Sequence, residues 1–359
     1  MRDALRITRF VGRTRCPTPG GWLKPRNYGM TQPVSKSLPA PLAPGKSVGG
    51  YRIVQKIGAG GFGIVYRAVS PTGQEVALKE YLPAALASRA HGDAPIVVEN
   101  DKRALYRIGF RSFLEEGRAL AQIVHPNVVS VLNFFQENDT VYLVMNYLQG
   151  ASLQQFIVTS ASLKHPKVFR ESTIRSLFDE VLRGLRVVHQ NKMLHLDIKP
   201  GNILVTDDDR AVLIDFGAAR NVLHQGGNFL RPMFTPGFSA PEMYRRGKAI
   251  GPWTDIYAIG ACMFSCMKGC PPPDAAKADY RSSLEAMVAD LRGKYSPALI
   301  ELMLSCMQTD PQARPHSVLS VQKILSSPPQ VVVHAALADH YQATDFLPGA
   351  LRPESKLAR

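Results

Sequence analysis

One stretch restricts the folding of this 359-residue chain more than any other: Leu194-His195-Leu196-Asp197-Ile198-Lys199-Pro200-Gly201-Asn202, followed by Ile214-Asp215-Phe216-Gly217. Between the two motifs stand the apolar runs Ile203-Leu204-Val205 and Val212-Leu213-Ile214, separated by Thr206-Asp207-Asp208-Asp209-Arg210. Short β-branched runs around such a polar cluster read as a β-hairpin, and a hairpin brings Asp197, Lys199, Asn202 and Asp215 to one place. Together they supply a carboxylate that can hold a hydroxyl, a cation, an amide oxygen, and a second carboxylate that can hold a metal. Phosphoryl transfer from a metal-bound nucleotide needs such a set, because its transition state is mostly charge to be positioned and neutralised. Taken singly, each Asp would serve as an ordinary loop cap or turn former. The four identities at fixed spacing are what point to chemistry.

Composition narrows the setting. Hydrophobic residues make up 45% of the chain, enough for a packed core. The longest apolar run, Ile256 to Met267, falls short of the about 18 residues that a membrane-spanning helix needs, so no span is expected. Five cysteines, an odd and scattered set, do not form a disulfide framework and suggest a reducing compartment, expected to be cytoplasmic. Cys262 and Cys266 fall on one helix face with no His or acidic neighbour, which favours core packing over a metal site. The net charge of +14 is concentrated at the start: residues 1–50 hold nine Lys or Arg against Asp3. That arm lacks a helical stripe and interleaved aromatics, so a solvated tail is expected rather than a nucleic-acid site. Prolines 17, 19, 25, 33, 39, 41 and 44 give its second half the composition of a disordered linker.

Order is expected from Tyr51. Tyr51 to Ile57 reads as a strand, Gly58-Ala59-Gly60-Gly61-Phe62-Gly63 as a turn, and Ile64 to Val69 as a second strand. A dinucleotide fold would need a helix after such a glycine run, and here a β-branched strand follows. Glycine backbone can approach phosphate closely because no Cβ stands in the way. After the Ser70-Pro71-Thr72-Gly73 turn, Glu75 to Glu80 forms a third strand carrying Lys79. A lysine there needs an acidic partner, and the next helix offers Glu115 and Glu116 beside an apolar face of Phe113, Gly117 and Leu120. The connection from Tyr81 to Phe110 is long, and long insertions are tolerated cheaply. Val128 to Phe135 and Thr140 to Met145 form another hairpin, expected to complete a five-stranded sheet. Glu171 to Asn191 has helical periodicity, and Trp253 to Gly260 is apolar on nearly all faces, as a buried helix is.

These motifs, in this order and over about residues 50 to 327, resemble the protein kinase superfamily. The resemblance rests on the glycine loop, on Val76-Ala77-Leu78-Lys79, on the catalytic stretch with Asp215-Phe216-Gly217, on Thr235-Pro236-Gly237-Phe238-Ser239-Ala240-Pro241-Glu242, and on Asp310-Pro311-Gln312-Ala313-Arg314-Pro315. It implies an α+β, two-lobed fold: a small antiparallel-sheet lobe with one helix (49–146) and a larger, mainly helical lobe (150–327), with ATP between them. A basic extension (1–48) and a tail (328–359) would flank the domain. By resemblance, Asp197 positions the acceptor hydroxyl and takes its proton, Lys199 neutralises the γ-phosphate, and Asn202 and Asp215 hold Mg2+, or Mn2+ in its place. Lys79 would reach the α- and β-phosphates and pair with Glu116, chosen over Glu115 by its spacing to His125-Pro126-Asn127. Ile57, Gly58, Ala59, Gly60, Gly61, Phe62 and Gly63 would cover the nucleotide, Val65, Ala77 and Leu204 would sandwich the purine, and Met145, Tyr147 and Leu148 would form the hinge, with Met145 as gatekeeper. Asp255 is expected to bond the backbone around His195, and Arg314 to pair with Glu242.

Lys199 and Thr235-Pro236-Gly237 look like the serine/threonine type, with protein substrates bearing Ser or Thr acceptors; the oligomeric state is left open. Lys79-Glu80-Tyr81-Leu82-Pro83 and the long insertion look like bacterial eukaryotic-like kinases. Two departures stand out: Asn146 replaces the usual hinge Glu, and Leu196 replaces the Arg that usually precedes the catalytic Asp. Two other readings remain. A pseudokinase scaffold would be expected to lack Lys79, Asp197 or Asp215, and all three are present. A small-molecule phosphotransferase of this fold would lack the Ala240-Pro241-Glu242 segment and the Arg314 partner, and both are present.

Overall fold

The sheet of the first lobe follows from alternation. Strand β3 (Gly63–Val69) buries every second residue, Ile64, Tyr66 and Ala68, and leaves the others half-buried, the pattern of a strand with one face on a core. The computed structural model describes residues 39–161, 169–216, 234–245 and 247–326. The expected extension up to residue 38, Gly217, Arg220, Arg231 and the 328–359 tail lie outside them. Before β3 come β1 (Ser47–Val48) and β2 (Tyr51–Gly60); after it come β4 (Glu75–Tyr81), the short pair β5 (Ala87–Ser88) and β6 (Val97–Val98), helix α1 (Arg103–Leu120), and the hairpin β7 (Val131–Glu137) and β8 (Thr140–Asn146). The main sheet runs β1-β2-β3-β4-β8-β7, antiparallel throughout. Asn138 and Asp139, at φ 54° and 57°, turn the β7–β8 hairpin, the left-handed pair that a two-residue hairpin loop requires.

The second lobe contains β9 (Gly150–Ser152), α2 (Leu153–Ala161), α3 (Glu171–Gln190), β10 (Ile203–Thr206), β11 (Ala211–Leu213), α4 (Pro252–Lys268), α5 (Tyr280–Ala289), α6 (Pro297–Cys306) and α7 (Val318–Ser326). Helix α4 is buried from Thr254 to Met267, including Cys262 and Cys266, and Gly269 at φ 78° ends it, as a left-handed C-terminal residue does. Helix α3 buries Ile174, Leu177, Phe178, Val181, Leu182, Leu185 and Val188 on one stripe. No helix among the described residues is long and apolar enough to cross a membrane.

Two apolar cores, one per lobe, result, and three expectations need correction. The sheet has six strands, because Ser47 and Val48 pair back onto Arg52 and Tyr51. Residues 39–48, expected in a solvated extension, pack instead: Leu42 and Val48 are 3% and 1% exposed and join the first-lobe core. The segment Leu120 to Val129, expected within the first lobe, contributes Leu120, Ile123, Val128 and Val129 to the core of the second. There Val129 N donates to Leu213 O (3.0 Å) and Leu213 N to Asn127 O (2.9 Å). This detour also delays the strand expected from Val128, so that β7 begins at Val131.

Candidate active site

The site is built outward from buried Asp255 near the start of α4. Its Oδ2 accepts from His195 N (2.9 Å) and its Oδ1 from Leu196 N (2.8 Å), and His189 Nε2 stands 2.8 Å from Oδ2. This grip holds Leu196 at φ 60°, a left-handed conformation that a non-glycine residue adopts at a cost on the order of 1–3 kcal/mol. The kink aims the next residue, Asp197, out of the core. His195 is fully buried; its Nδ1 accepts from Asp197 N (3.3 Å), its Nε2 donates to Ile214 O (3.1 Å), and its ring stacks on Phe216 at 4.3 Å. Burial lowers its pKa against the opposing pull of Asp255, Asp197 and Asp215, so the ring is neutral with its proton on Nε2. One imidazole thereby ties the two motifs together.

Asp197 is fixed from several sides. Lys199 Nζ donates to Oδ2 (2.8 Å) and Oδ1 (3.1 Å), Asn202 Nδ2 donates to Oδ2 (2.8 Å), and Thr235 Oγ1 donates to Oδ1 at 3.4 Å. Asn202 Nδ2 is shared with the carbonyls of Asp197 (2.9 Å) and Asp215 (3.3 Å), which commits the nitrogen end of the amide and leaves Oδ1 as an oxygen donor. The hairpin forms as the apolar runs require, with Ile203 opposite Leu213 and Val205 opposite Ala211.

Asp215, at φ 57°, places Oδ1 2.6 Å from Lys79 Nζ. The ammonium also lies 5.2 Å from the centre of the Phe113 ring, a cation–π distance. This ion pair joins Lys79 to one of the two residues expected to hold the metal. Glu116 does lie on the buried face of α1 while Glu115 is exposed. Phe113, one turn earlier on that face, meets the ammonium, and the left-handed backbone of Asp215 brings a carboxylate to it.

The expected nucleotide residues fall around this centre. Val65 pairs across the ladder with Lys79 and Ala77 with Met145, while Leu204 pairs with Ser152 of β9. Val65, Met145, Tyr147, Leu148 and Leu204 are half-buried and Ile57 is 44% exposed, the exposures of apolar residues lining a cleft. Asn146 N donates to Ser130 O (3.1 Å). The glycine loop is the tip of the β2–β3 hairpin, with Gly58 opposite Val65, Ala59 opposite Ile64 and Gly60 opposite Gly63. A Cβ on Gly60 would meet nothing within 4 Å, whereas one on Gly63 would collide with the Glu80 carbonyl. The tip is tied to the residues after β4: Leu82 N donates to Phe62 O (3.1 Å) and Ala84 N to Gly61 O (3.0 Å).

The donor set fits a nucleotide with a hard divalent cation. Asn202 and Asp215 offer two oxygen donors, too few for a protein cage but suited to Mg2+, which keeps waters and phosphate oxygens as its remaining ligands. Farther out, Arg314, 2% exposed, grips Glu242 with both nitrogens (2.8 and 2.9 Å) and lies 5.1 Å from the Tyr257 ring, anchoring the segment that ends in Ala240-Pro241-Glu242. Sequence reasoning missed His189, whose one signal is its place at the end of α3, and the buried Glu80–Arg89 pair (2.7 Å).

A model of the protein kinase domain matches residues 51–328. The chain belongs to the protein kinase family. Members of this family use ATP with a divalent metal. The kinase is 30% identical over 279 residues to the probable serine/threonine-protein kinase mkcC of Dictyostelium discoideum, covering 74% of this chain and 27% of that protein. It is 27% identical over 278 residues to hormonally up-regulated neu tumor-associated kinase homolog A of Xenopus laevis, covering 76% of this chain and 37% of the relative. The chain thus spans about a quarter to a third of the length of these relatives. Among solved structures, PpkA-294 in its apo form is similar with a TM-score of 0.69 and 32% identity, covering 81% of this chain and all of that one. The Mycobacterium tuberculosis PknI kinase domain, at 24% identity and TM-score 0.59 over 79% of this chain and 98% of its own, shares the fold.

Proposed function

We propose that this kinase transfers the γ-phosphoryl group of ATP to Ser or Thr hydroxyls of proteins, as a cytoplasmic enzyme of bacterial signalling. The observation that carries this reading is the convergence of Asp197, Lys199, Asn202, Asp215 and Lys79 within one connected set of hydrogen bonds and ion pairs. Lys79-Glu80-Tyr81-Leu82-Pro83 and the insertion behind it support the bacterial assignment.

In this reading Asp197 orients the acceptor hydroxyl and takes its proton, and Lys199 and Asn202 keep the carboxylate correctly turned. Lys199, already at Asp197, is placed to neutralise charge on the transferred group. Lys79 and the backbone amides of Gly58 to Gly63 hold the phosphates, and the main chain of Asn146 to Leu148 meets the adenine edge, so the missing hinge Glu removes no main-chain group. Asn202 and Asp215 would hold Mg2+ or Mn2+, which when bound spreads the charge of the phosphate oxygens. The new bond joins the acceptor oxygen to phosphorus as the bond to the ADP oxygen breaks.

Leu196 gives the reading a finer point: the kinase works without phosphorylation of its activation segment. An Arg at this position can receive a phosphorylated residue through charge-assisted bonds, and Leu cannot. Between Asp215 and Glu242 the hydroxyl residues are Thr235 and Ser239. Thr235 is bonded to Asp197, where a phosphate would repel the catalytic carboxylate. Another arrangement, with Arg220 or Arg231 as receptor, would need a phosphate placed elsewhere.

Incubation with labelled ATP and Mg2+, with and without a generic protein substrate, tests the activity. Label on the chain or the substrate is expected. A scaffold gives no label, and a small-molecule kinase labels neither itself nor protein. Exhaustive phosphatase treatment followed by an initial-rate assay tests the finer point: an unchanged initial rate is expected, and a lag abolished by preincubation with ATP would defeat it.

A further inference from the structure

On β4, Lys79 and Glu80 are consecutive, so their side chains leave the sheet on opposite faces. Lys79 meets Asp215 in the cleft. Glu80, with no exposed surface, is the centre of a second charged cluster behind it. Arg89, from the insertion, donates Nη1 to Glu80 Oε1 (2.7 Å) and Nη2 to Oε2 (2.9 Å), Tyr66 OH of β3 donates to Oε2 (2.8 Å), and Tyr142 OH of β8 donates to Oε1 (2.9 Å). These four donors fill the roughly four lone-pair sites of a carboxylate. Arg89 Nη2 also reaches Tyr66 OH (3.0 Å) and its Nε reaches Ala40 O (2.7 Å). Residues 39–48 close the cluster from outside: Ala40 N donates to Arg89 O (2.9 Å) and Leu42 N to Tyr66 OH (3.1 Å), and Gly92 packs so tightly that a Cβ would stand 2.6 Å from Ala43 N. The same insertion begins with the two amides, Leu82 N and Ala84 N, that tie the tip of the glycine loop.

A buried ion pair is poor evidence of stability, since apolar residues of similar size often serve as well. Its distinctive property is direction. A guanidinium fork fits one carboxylate in one orientation, and here the carboxylate belongs to Glu80, the residue next to Lys79 in the chain. We propose that Arg89 is a positioning residue for phosphoryl transfer: with the 39–48 strap, it fixes β4 from behind and so sets where the Lys79 ammonium stands relative to Asp215 and the glycine loop. The insertion is then part of the nucleotide site. This inference rests on the reading of Lys79 as a phosphate ligand.

Two variants of the full chain test it without touching the cleft. Arg89→Lys keeps the charge and loses the fork; Gly92→Val pushes the strap away without replacing any charged residue. Each is assayed for kcat and KM for ATP, for folded fraction by circular dichroism, and for the rate at which a lysine-directed sulfonyl fluoride labels Lys79 relative to exposed Lys277, read by peptide mass spectrometry. In both, KM for ATP should rise and kcat fall so that kcat/KM drops about tenfold, with Lys79 labelling altered severalfold and Lys277 labelling unchanged, in protein that remains folded. Folded variants with kcat/KM and Lys79 labelling at the wild-type level would overturn the proposal. So would activity losses that merely track the folded fraction, or failure of both variants to fold, since the cluster would then be a folding element only. If the wild-type chain transfers no phosphate, the proposed function falls, while the labelling comparison still reports on the position of Lys79.

Discussion

Asp197 makes its contacts through side chains that Asn can largely satisfy, so Asp197→Asn should keep the fold and remove the proton acceptor. Turnover is expected to fall by about 10²–10⁴-fold, the range for general acid–base groups, with the thermal midpoint little changed; near-normal turnover would remove Asp197 from the mechanism. Lys79→Met should behave likewise, with a rise in KM for ATP, because the thioether fills the same slot beside Phe113 without charge for Asp215 or phosphate. His195 makes a third prediction. Its folded-state pKa is depressed by burial, so the unfolded chain takes up a proton first as the pH drops. The stability tied to the neutral ring is complete above the unfolded value of about 6.5 and is lost as pH falls from there toward the folded value. His125 is shifted the same way by burial, Arg186 and Arg183; a His125→Gln background isolates His195. In that background the urea midpoint should decline below about pH 6.5, and the nitrogen spectrum of the His195 ring should stay that of the neutral Nε2–H form at pH 6. A ring that titrates at the ordinary value would refute this.

At the scale of elements, the Glu242–Arg314 fork joins the end of the activation segment to the turn before α7. Arg314→Met would leave Glu242, 5% exposed, buried without its partner, and should cost about 3–5 kcal/mol in denaturant unfolding. An unfolding free energy within 1 kcal/mol of wild type, on the order of an exposed pair, would show that the fork is relieved by other groups. The elements that sequence disclosed well are those with a strong local pattern. The 203–214 hairpin is announced by apolar runs flanking an aspartate-rich turn, and α3 by a stripe that needs no tertiary partner to be recognised. Strand β1 was illegible because two residues have no period, and because the Gly49-Gly50 turn behind it shares the composition of a linker. The contact of Lys79 with Asp215 was illegible for another reason: it depends on the left-handed backbone of Asp215, which no spacing announces. Glu80 and Arg89 lie nine positions apart across an irregular segment, where no periodicity can link them.

In the whole molecule, α1 joins the two cores, with Tyr106 and Phe113 packed in the first and Leu120 in the second, so the first lobe depends on more than its own sheet. It also depends on residues that composition assigns to a tail. Leu42 and Val48 bury their side chains, β1 extends the sheet edge, and Gly49 N donates to Glu137 Oε2 (2.7 Å) across to β7. A chain that begins at Gly49 should therefore be less stable than one that begins at Pro39. At about 1.5–3 kcal/mol for each fully buried aliphatic side chain, the difference is on the order of 3–6 kcal/mol, large against a typical domain stability of about 5–15 kcal/mol. The two chains differ only in residues 39–48, so charge and length elsewhere cancel in the comparison. Denaturant unfolding of both, monitored by circular dichroism, should give a lower midpoint for the shorter chain with a similar slope. Equal midpoints would mean that the 39–48 strap adds nothing to the fold, and that the solvated extension suggested by its prolines and glycines describes it after all.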